Sequence, residues 1–576
     1  MRSCIVGMVL AALALVGPSA RAVDADLILH NGRIVTVDSA FSIAQAVAIQ
    51  GGVILRVGTN EDVLKTRGLR TTIVDLDGKT ALPGLIDSHV HASDAAMTEF
   101  DHPIPDMESV ADVLEYVRGR AQALPEGTWI EVRQVFITRL REPRYPTRAE
   151  LDAVAPKHPV VFSTGPDASL NSLALTLSGI DKGFRVTDGG TGFAEKDLTT
   201  GELTGILRSC TRYVKSRPTG REATDLDRAD RLRQLFHDYN SVGLTGVIDR
   251  NASAGALNQY RRLLDNDALT VRIAASHQVG TSGAIEAIEQ NVRKVADHPL
   301  CRGGPMLRVI GIKTFLDGGM LTGSAAMREP WGTSKIYSIT DPQYRGLLFI
   351  SKDRLTRLVR TAAEVGLQFT AHSVGDDAVH TLLDVYADLD MTTGIRKTRP
   401  CLTHSNFMSQ EAIAKCATLG VVIDVQPAWL YLDTRTLVRQ FGIDRLRWFQ
   451  PLKSLFAAGV TVGGGSDHMQ KIGSLRSINP YNPFLGMQTA VTRRARWYDG
   501  QLHPEEALTR EQAVRLYTIN NARLMFLEDR TGSLEVGKAA DMVVLDRDVL
   551  TCPEDAIKDT QCLRTYLNGK LVYERK

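Results

Sequence analysis

The sequence predicts an α/β fold: a (β/α)8 barrel of the TIM type with a large insertion after strand 1, and a composite β-sandwich domain from both termini. Three observations support this prediction. The middle of the chain alternates short apolar segments with amphipathic segments, a pattern typical of parallel α/β proteins. Eight of the apolar segments have the length of a strand, and eight is the number that a barrel needs. Both ends of the chain carry short strand patterns separated by glycine turns.

Residues 1–22 have the composition of a secretory signal peptide. Arg2 provides the positive start, an apolar run follows, and Ala20-Arg21-Ala22 fits a small-x-small cleavage site. The apolar run is too short for an ordinary membrane span, although an uncleaved anchor is an alternative that the sequence leaves open. We therefore expect a secreted or periplasmic protein with no stable membrane insertion once the signal peptide is removed.

Residues 23–82 and 531–576 are expected to be the two parts of one β-sandwich. Both parts contain short strand patterns, and Asn31-Gly32 and Asn568-Gly569 are strong signals for tight turns. Each part alone is too small to bury a hydrophobic core. A shared domain is therefore favoured over two separate β appendages.

Residues 83–530 are expected to form the barrel. The predicted strands are, in order, 84–91, 244–250, 271–277, 309–317, 367–372, 401–404, 421–427 and 460–467. The stretch between the first two strands is far longer than one helix requires, so we expect an insertion at about residues 95–235 with helices and strands of its own. It would leave the barrel at the C-terminal face of the first strand, where it could cap an active site.

Charge and cysteine content narrow the classes of partner. The chain has 68 Lys and Arg residues against 66 Asp and Glu residues, a balance that gives no electrostatic footprint for nucleic acid. We therefore expect a small-molecule substrate and no nucleic-acid partner, in a monomer or a homodimer. None of the cysteines forms a CxxC motif, which argues against a thiolate zinc site. Export would permit a Cys552–Cys562 disulfide, although free buried thiols are the expected state.

Two histidines at the end of the first predicted strand begin the predicted site. His89 and His91 are two residues apart, so their side chains point to the same face of the strand, into the barrel. They end an apolar run and therefore lie at the C-terminal mouth, where barrel enzymes carry their chemistry. Two imidazoles on one short strand suit Zn²⁺ or a similar divalent ion.

Lys313, in the fourth predicted strand, is the unusual member of the predicted site. Strand alternation places it on the same face as Phe315 and Asp317, and a bare ammonium group is costly to bury inside a barrel. A neutral amine can react with CO₂ to form a carbamate, an anionic ligand whose two oxygens could bridge two metal ions. A salt bridge between Lys313 and Asp317 is the alternative.

Three further residues complete the set, each at the end of a different predicted strand. A lone histidine at a strand end is more often structural, but side chains from separate barrel strands meet at one mouth. Asp467 follows three glycines, where the backbone can approach closely, and its alternative role is to cap a helix. The sequence therefore predicts a site for divalent metal, with two Zn²⁺ ions as the expected occupants, bound by His89, His91, Lys313, His372, His404 and Asp467.

These residues also carry a family resemblance. The chain resembles the amidohydrolase superfamily, in particular the branch related to N-substituted formamide deformylase. The resemblance covers nearly all of the chain after residue 22. Beyond the ligands it includes PTRAELDAVAPKHPV, NSLALTLSGI, GELTGIL, the DGG after the lysine, and EEALTREQAVRLYTINNARLMFLEDRTGSLEVGKAADMVVLD. The family fold is a metal-dependent (β/α)8 barrel with a composite β-sandwich.

The resemblance implies a role for each ligand. The histidine pair of the first strand would bind the more buried metal ion, carboxylated Lys313 would bridge the two ions, and His372 and His404 would bind the second ion. Asp467 would be both a ligand and the catalytic acid and base. The implied reaction is hydrolysis of the C–N bond of an amide or N-formyl-type substrate by a metal-bridged hydroxide. The alternatives are a catalytically silent binding or regulatory protein and a metal-dependent isomerase or decarboxylase.

Three positions depart from the family pattern. Pro166 stands where many relatives have a histidine, and Thr403 stands where relatives commonly have a glutamate. The segment MLTGSAAM follows the lysine motif in place of an SRTA-like stretch. The ligands are retained while positions near the substrate have diverged, so the resemblance does not identify the substrate. Further candidates for the pocket are Arg133, His277, Arg328, Trp331, Trp429, Tyr431 and His468.

Overall fold

A parallel sheet of eight strands forms the centre of the computed structural model, which describes residues 24–133, 135–217 and 220–576. The strands are β1 (Leu85–Val90), β2 (Leu244–Ala252), β3 (Arg272–Gln278), β4 (Leu307–Phe315), β5 (Gln368–Ser373), β6 (Cys401–His404), β7 (Val422–Val425) and β8 (Val462–Gly464). Each strand pairs in parallel with the next one in the sequence. All eight overlap the segments that the sequence predicts, so the prediction of an α/β barrel is confirmed.

The sheet closes on itself just beyond the end of β8. The backbone N–H of Asp467 donates to the carbonyl of His89 at 2.8 Å, and the N–H of His91 donates to the carbonyl of His468 at 2.8 Å. Val90 and His468 form a parallel bridge between the same two segments. The closure therefore lies at the C-terminal mouth and brings Asp467 beside the two histidines that end β1.

Helices pack around the outside of the barrel. The longer ones are Asp225–Ser241, Ala254–Asp265, Ile285–Ala296, Lys352–Glu364, Asp376–Thr393, Gln410–Leu419, Pro427–Phe441 and Pro483–Thr492, and the shorter ones are Ala92–Met97, Leu452–Ala457, Arg510–Leu516 and Ile519–Leu524. Leu355, Leu358, Val359 and Ala362 show the spacing of one helical face, and all four are buried. Such faces join the outward side chains of the strands in one large core.

The connection between β1 and β2 forms a separate layer at the mouth of the barrel. Its sheet contains Ile130–Val132, Val160–Ser163, Ala168–Leu170, Phe193–Lys196 and Leu203–Arg208, and its helices are Val110–Ala123, Arg148–Val154 and Ser172–Ser178. Buried Arg208 donates from Nη1 to the carbonyl of Thr322 at 2.8 Å. The layer is thereby tied to the loop that follows the lysine strand β4.

Two further sheets contain strands from the beginning and the end of the chain. One has six strands, Arg33–Val35, Ile43–Ala44, Thr80–Pro83, Met542–Leu545, Cys562–Leu567 and Lys570–Glu574, and the other has four, Ala25–His30, Ala46–Gln50, Val53–Gly58 and Arg67–Asp75. Thr80–Pro83 pairs antiparallel with Met542–Leu545, so residues from both termini share one sheet. Leu29 and Val47 pack with Met542 in a core that both sheets contribute to.

The predicted signal peptide lies outside the described residues. Within the part of the chain that the structure describes, no helix combines the length and the apolar character needed to cross a bilayer. The six described cysteines are all free thiols, including Cys552 and Cys562. The disulfide that the sequence permits is therefore not formed in this structure.

Candidate active site

The six predicted ligands meet at the C-terminal mouth of the barrel. His89 and His91 lie at the end of β1, Lys313 on β4, His372 on β5 and His404 on β6, and Asp467 follows β8. All but His89 line one cavity of about 670 Å³. His89 is fully buried. Its Nε2 atom lies 3.3 Å from Nε2 of His91.

Asp467 forms a compact group with the two histidines of β1. Its Oδ1 atom lies 3.2 Å from Nε2 of His89 and 3.0 Å from Nε2 of His91. Neither contact has the geometry of a hydrogen bond, so buried Oδ1 has no hydrogen-bond partner among the described residues. A buried carboxylate oxygen that faces two imidazole nitrogens is a donor set that suits a divalent metal ion. The residues present therefore fit the metal that the sequence predicts.

His404 joins this group to the other predicted ligands. Its ring is stacked on that of His89 at a centroid distance of 4.9 Å and meets that of His372 edge-on at 4.5 Å. Burial holds the pKa of His89 and of His404 well below the ordinary value and lowers the pKa of His372 to about 3. Neutral imidazole is the form that binds a metal.

The pKa of His91 is shifted in the opposite direction from those of the other three histidines. Burial lowers the pKa of His91, but the nearby carboxylates of Asp467 and Asp249 outweigh burial and raise it overall. Burial also raises the pKa of Asp467, and His91 opposes that shift. His91 and Asp467 therefore favour each other's charged forms at the point where β1 and the segment after β8 meet.

Lys313 is buried, and no carboxylate is paired with its amine within the part of the chain that the structure describes. Its Nζ atom lies 4.9 Å from the ring centre of Phe315. Burial lowers the pKa of Lys313 to about 8, and the charges of Asp424 and Asp467 offset part of that effect. Asp317 does not form the alternative salt bridge, since its two oxygens accept hydrogen bonds from three backbone amides at 2.9 to 3.0 Å. The amine is thus free for the chemistry that a carbamate requires.

Behind the histidines lies a buried polar layer that the sequence reasoning missed. Asp424 Oδ1 lies 3.2 Å from Nδ1 of His89, and Asp424 Oδ2 lies 2.9 Å from Nε of Arg250. Gln426 Oε1 lies 2.7 Å from Nδ1 of His404. The sequence carried one signal for this layer: the segment VIDVQP places two polar residues two positions apart in an otherwise apolar strand, so both point to the barrel interior.

A second polar group supports Asp467 from the side of the insertion. Asn479 Nδ2 donates to the backbone carbonyl of Asp467 at 2.7 Å. Asn479 Oδ1 accepts hydrogen bonds from Trp429 Nε1 at 3.1 Å and from Arg139 Nη1 at 2.7 Å. Arg139, which belongs to the insertion, also donates to Asp433 at 2.9 Å. The insertion therefore helps to set the position of the proposed catalytic carboxylate.

Apolar side chains supply much of the cavity wall: Phe136, Val161, Val214, Phe315, Leu321, Phe349, Trp429 and Met469. Arg133 is at the wall and is paired with Glu131 at 2.5 Å. Of the other pocket candidates, Trp429 lies in the wall, whereas His277, Arg328, Trp331, Tyr431 and His468 lie outside it. His468 is instead fully buried, with Nδ1 2.7 Å from the hydroxyl of Tyr239, which is a structural contact.

The positions that depart from the family pattern fall in two places. Pro166 and, from the MLTGSAAM segment, Leu321 and Thr322 line the cavity. Thr403 is fully buried and its hydroxyl lies 3.2 Å from Asp424 Oδ2, in the layer behind the histidines. Divergence therefore affects both the surface that a substrate meets and the support of the ligands.

An eight-stranded barrel with imidazole, amine and carboxylate groups at one mouth defines a class of barrel proteins built to hold metal ions. The chain belongs to the amidohydrolase family, whose match spans residues 72–573, so the family resemblance is confirmed. N-substituted formamide deformylase of Arthrobacter pascens is 31% identical over 571 residues, which cover 96% of this chain and 98% of that protein.

Solved structures show the same fold. An uncharacterized metal-dependent hydrolase from Pyrococcus horikoshii OT3 has a TM-score of 0.65 and 23% identity, with 92% of this chain and 99% of that chain covered. Atrazine chlorohydrolase TrzN from Arthrobacter aurescens TC1, complexed with zinc, has a TM-score of 0.52 and 17% identity, with 95% of each chain covered.

Proposed function

We propose that this chain is an exported amidohydrolase that binds two divalent metal ions, with zinc as the first choice, and hydrolyses the C–N bond of an amide or N-formyl-type small molecule. The observation that carries the proposal is the buried Oδ1 atom of Asp467, which faces two imidazole nitrogens and has no hydrogen-bond partner among the described residues. The similarity to a formamide deformylase supports the choice of bond. The similarity to a zinc-complexed chlorohydrolase supports the choice of metal.

The ligands divide into two groups. His89, His91 and Asp467 would hold one ion, His372 and His404 would hold the other, and carboxylated Lys313 would be shared. The buried amine of Lys313 supports the carbamate, because no carboxylate of the described residues is paired with it. When bound, the metal would lower the pKa of water and polarise the carbonyl of a substrate.

Asp467 is the group proposed to accept a proton from water and to return it to the leaving amine. It lines the cavity, so its carboxylate can reach both water and substrate. Asn479 Nδ2 donates a hydrogen bond of 2.7 Å to the backbone carbonyl of Asp467. Because a general base must stay within hydrogen-bond reach of the proton that it moves, this restraint supports the role of Asp467.

The cavity favours a neutral organic substrate. Its volume of about 670 Å³ lies within the range of about 300–1,000 Å³ typical of small-molecule sites. Phe136, Phe349 and Trp429 present apolar surface to it. The arginines of the wall, Arg133 and Arg212, are already paired with Glu131 and Asp188. A charged substrate group would therefore find little compensation in the wall, and burying such a group unpaired is costly.

Metal content is the first test of the proposal. Inductively coupled plasma mass spectrometry on the purified mature protein is expected to find about two equivalents of a divalent metal, as two-metal sites require, and much less in Lys313→Ala. The metal-loaded protein is then screened against N-formyl and N-acyl amines, with release of the free amine as the readout. Mass spectrometry of the intact exported protein is expected to show a chain that begins at Val23.

Two outcomes would overturn the proposal. A protein that holds no metal after reconstitution with metal and bicarbonate is a binding or regulatory protein on the amidohydrolase fold. A loaded protein that converts a substrate without releasing an amine is an isomerase or a decarboxylase.

A further inference from the structure

We propose that Asp424 is a positioning residue that holds the tautomer of histidines in both halves of the site, directly for His89 and through Gln426 for His404. The inference rests on the proposed function, because it concerns the ligands of the proposed metal ions. It can be tested without turnover, however, since the tautomers can be observed in the metal-free protein.

The contact between Asp424 and His89 fixes one ring. Asp424 is fully buried, and its Oδ1 atom lies 3.2 Å from Nδ1 of His89. A carboxylate can only accept here, so Nδ1 of His89 carries the proton and donates. The other nitrogen, Nε2, faces His91 and Asp467 at 3.3 and 3.2 Å. Its lone pair is therefore directed at the site where a metal would bind.

Gln426 extends the same restraint to the second half of the site. Its Nε2 atom donates to Asp424 Oδ1 at 3.2 Å, which turns its Oε1 atom toward His404. Oε1 lies 2.7 Å from Nδ1 of His404 and can only accept, so His404 also carries its proton on Nδ1. Because Asp424 sets the orientation of the Gln426 amide, it indirectly sets the tautomer of His404.

The same carboxylate also lies close enough to His89 and His404 to count as a metal ligand by distance. Its contacts argue against that role. Both oxygens are occupied, Oδ1 by His89 and Gln426 and Oδ2 by Arg250 at 2.9 Å and Thr403 at 3.2 Å. Asp467 shows the opposite pattern, with an oxygen that faces imidazoles and lacks a partner.

Arg250 offsets the cost of burying the Asp424 carboxylate, because the two form an ion pair at 2.9 Å. Its side chain is fully buried, and its Nη1 atom donates to Gln368 at 2.9 Å and to Ser276 at 3.3 Å. The guanidinium neutralises Asp424, so the carboxylate adds no net charge behind the histidines. Removal of Asp424 would leave Arg250 as an unpaired buried cation, which costs stability. The test therefore needs a variant that keeps the ion pair.

The experiment compares Asp424→Leu, Gln426→Leu and Thr370→Val with the unchanged full-length mature protein. Gln426→Leu keeps the pair of Asp424 and Arg250. Thr370→Val is the matched control, since it removes a hydrogen bond of 2.7 Å to Thr403 in the same buried layer without touching a histidine. Long-range proton–nitrogen spectra of ¹⁵N-histidine-labelled, metal-free protein report the tautomers. Competition with a chelator reports the affinity for zinc.

We expect Asp424→Leu, which has no acceptor, to lose the Nδ1-protonated form of both histidines, and Gln426→Leu to lose it for His404 alone. Zinc affinity should fall about 10- to 100-fold in both variants, the usual effect of removing the partner of a ligating histidine. Thr370→Val should keep both tautomers and its zinc affinity even if its melting temperature falls.

Unchanged tautomers in Gln426→Leu, or a loss of affinity in Thr370→Val as large as in the other variants, would overturn the inference. A wild-type protein that binds no zinc would contradict the proposed function. The tautomers of the metal-free variants would then still decide the role of Asp424.

Discussion

The indole of Trp429 lies against the imidazole of His404, with ring centres 5.0 Å apart and planes inclined by 16°. A hydrogen bond of 3.1 Å from Trp429 Nε1 to Asn479 fixes the indole in this position. Trp429 also lines the cavity, so it covers one face of a proposed ligand and presents an apolar surface to the substrate. The same side chain therefore links the proposed metal site to substrate selection.

Replacement of Trp429 should therefore affect substrate binding more than metal binding. Trp429→Ala removes a large buried ring, which costs about 3–5 kcal/mol in well-packed sites, and it should raise KM for an apolar amide about tenfold or more, as loss of about 1.4 kcal/mol of binding requires. Trp429→Phe, which keeps an aromatic ring, should lose much less. Steady-state kinetics and zinc titration are the measurements. Equal KM values in the three proteins would remove Trp429 from the substrate site.

Asp467→Asn should keep the fold and much of the metal but lose turnover. The amide has the size of the carboxylate but cannot take up a proton, and loss of a general base typically costs about 10²- to 10⁴-fold in rate. The value of kcat on an amide identified in the screen, together with zinc content, is the measurement. Activity near that of the wild type would show that Asp467 is not the acid and base.

Lys313→Ala should lose metal from both ligand groups. The variant lacks the amine that forms the carbamate, so a shared ligand is missing. A short carboxylic acid added at high concentration should restore part of the metal content, because it can occupy the space and supply two oxygens. The measurement is elemental analysis with and without the acid. A full complement of metal in the unsupplemented variant would exclude the shared carbamate.

The buried pair of Glu195 and Arg208 should make stability depend on pH. Burial raises the pKa of Glu195 from 4.5 to about 7, and Arg208 opposes the shift. An acid whose pKa is higher in the folded state stabilises the fold below its unfolded pKa, and this contribution is lost as the pH rises to the folded pKa. As the pH rises from about 4 to about 8, the melting temperature of the wild type should therefore fall relative to that of Glu195→Gln. If the difference between the two melting temperatures does not vary with pH, Glu195 does not have the raised pKa.

The barrel, and the meeting of the six candidate residues at its mouth, could be predicted because their signals are local. Each strand has its own apolar run, and each candidate residue stands at or near the end of one. The support of Asp467 could not be predicted in this way. Arg139 reaches Asn479 and Asp433 from an insertion far away in the sequence, and no local pattern marks such a contact. Asp424 and Gln426, at and just after the end of β7, are an intermediate case. Their spacing is visible in the sequence, but their partners are not.

The hydrogen bond from Asp467 to the carbonyl of His89 has a consequence for the order of assembly. It joins a residue made early on the ribosome to one made late, so the proposed metal site does not exist until most of the chain has been synthesised. A chain exported before it folds would therefore acquire its ions at its destination. The free concentrations of metals in that compartment, and not those of the cytosol, would then select the metal that the enzyme carries.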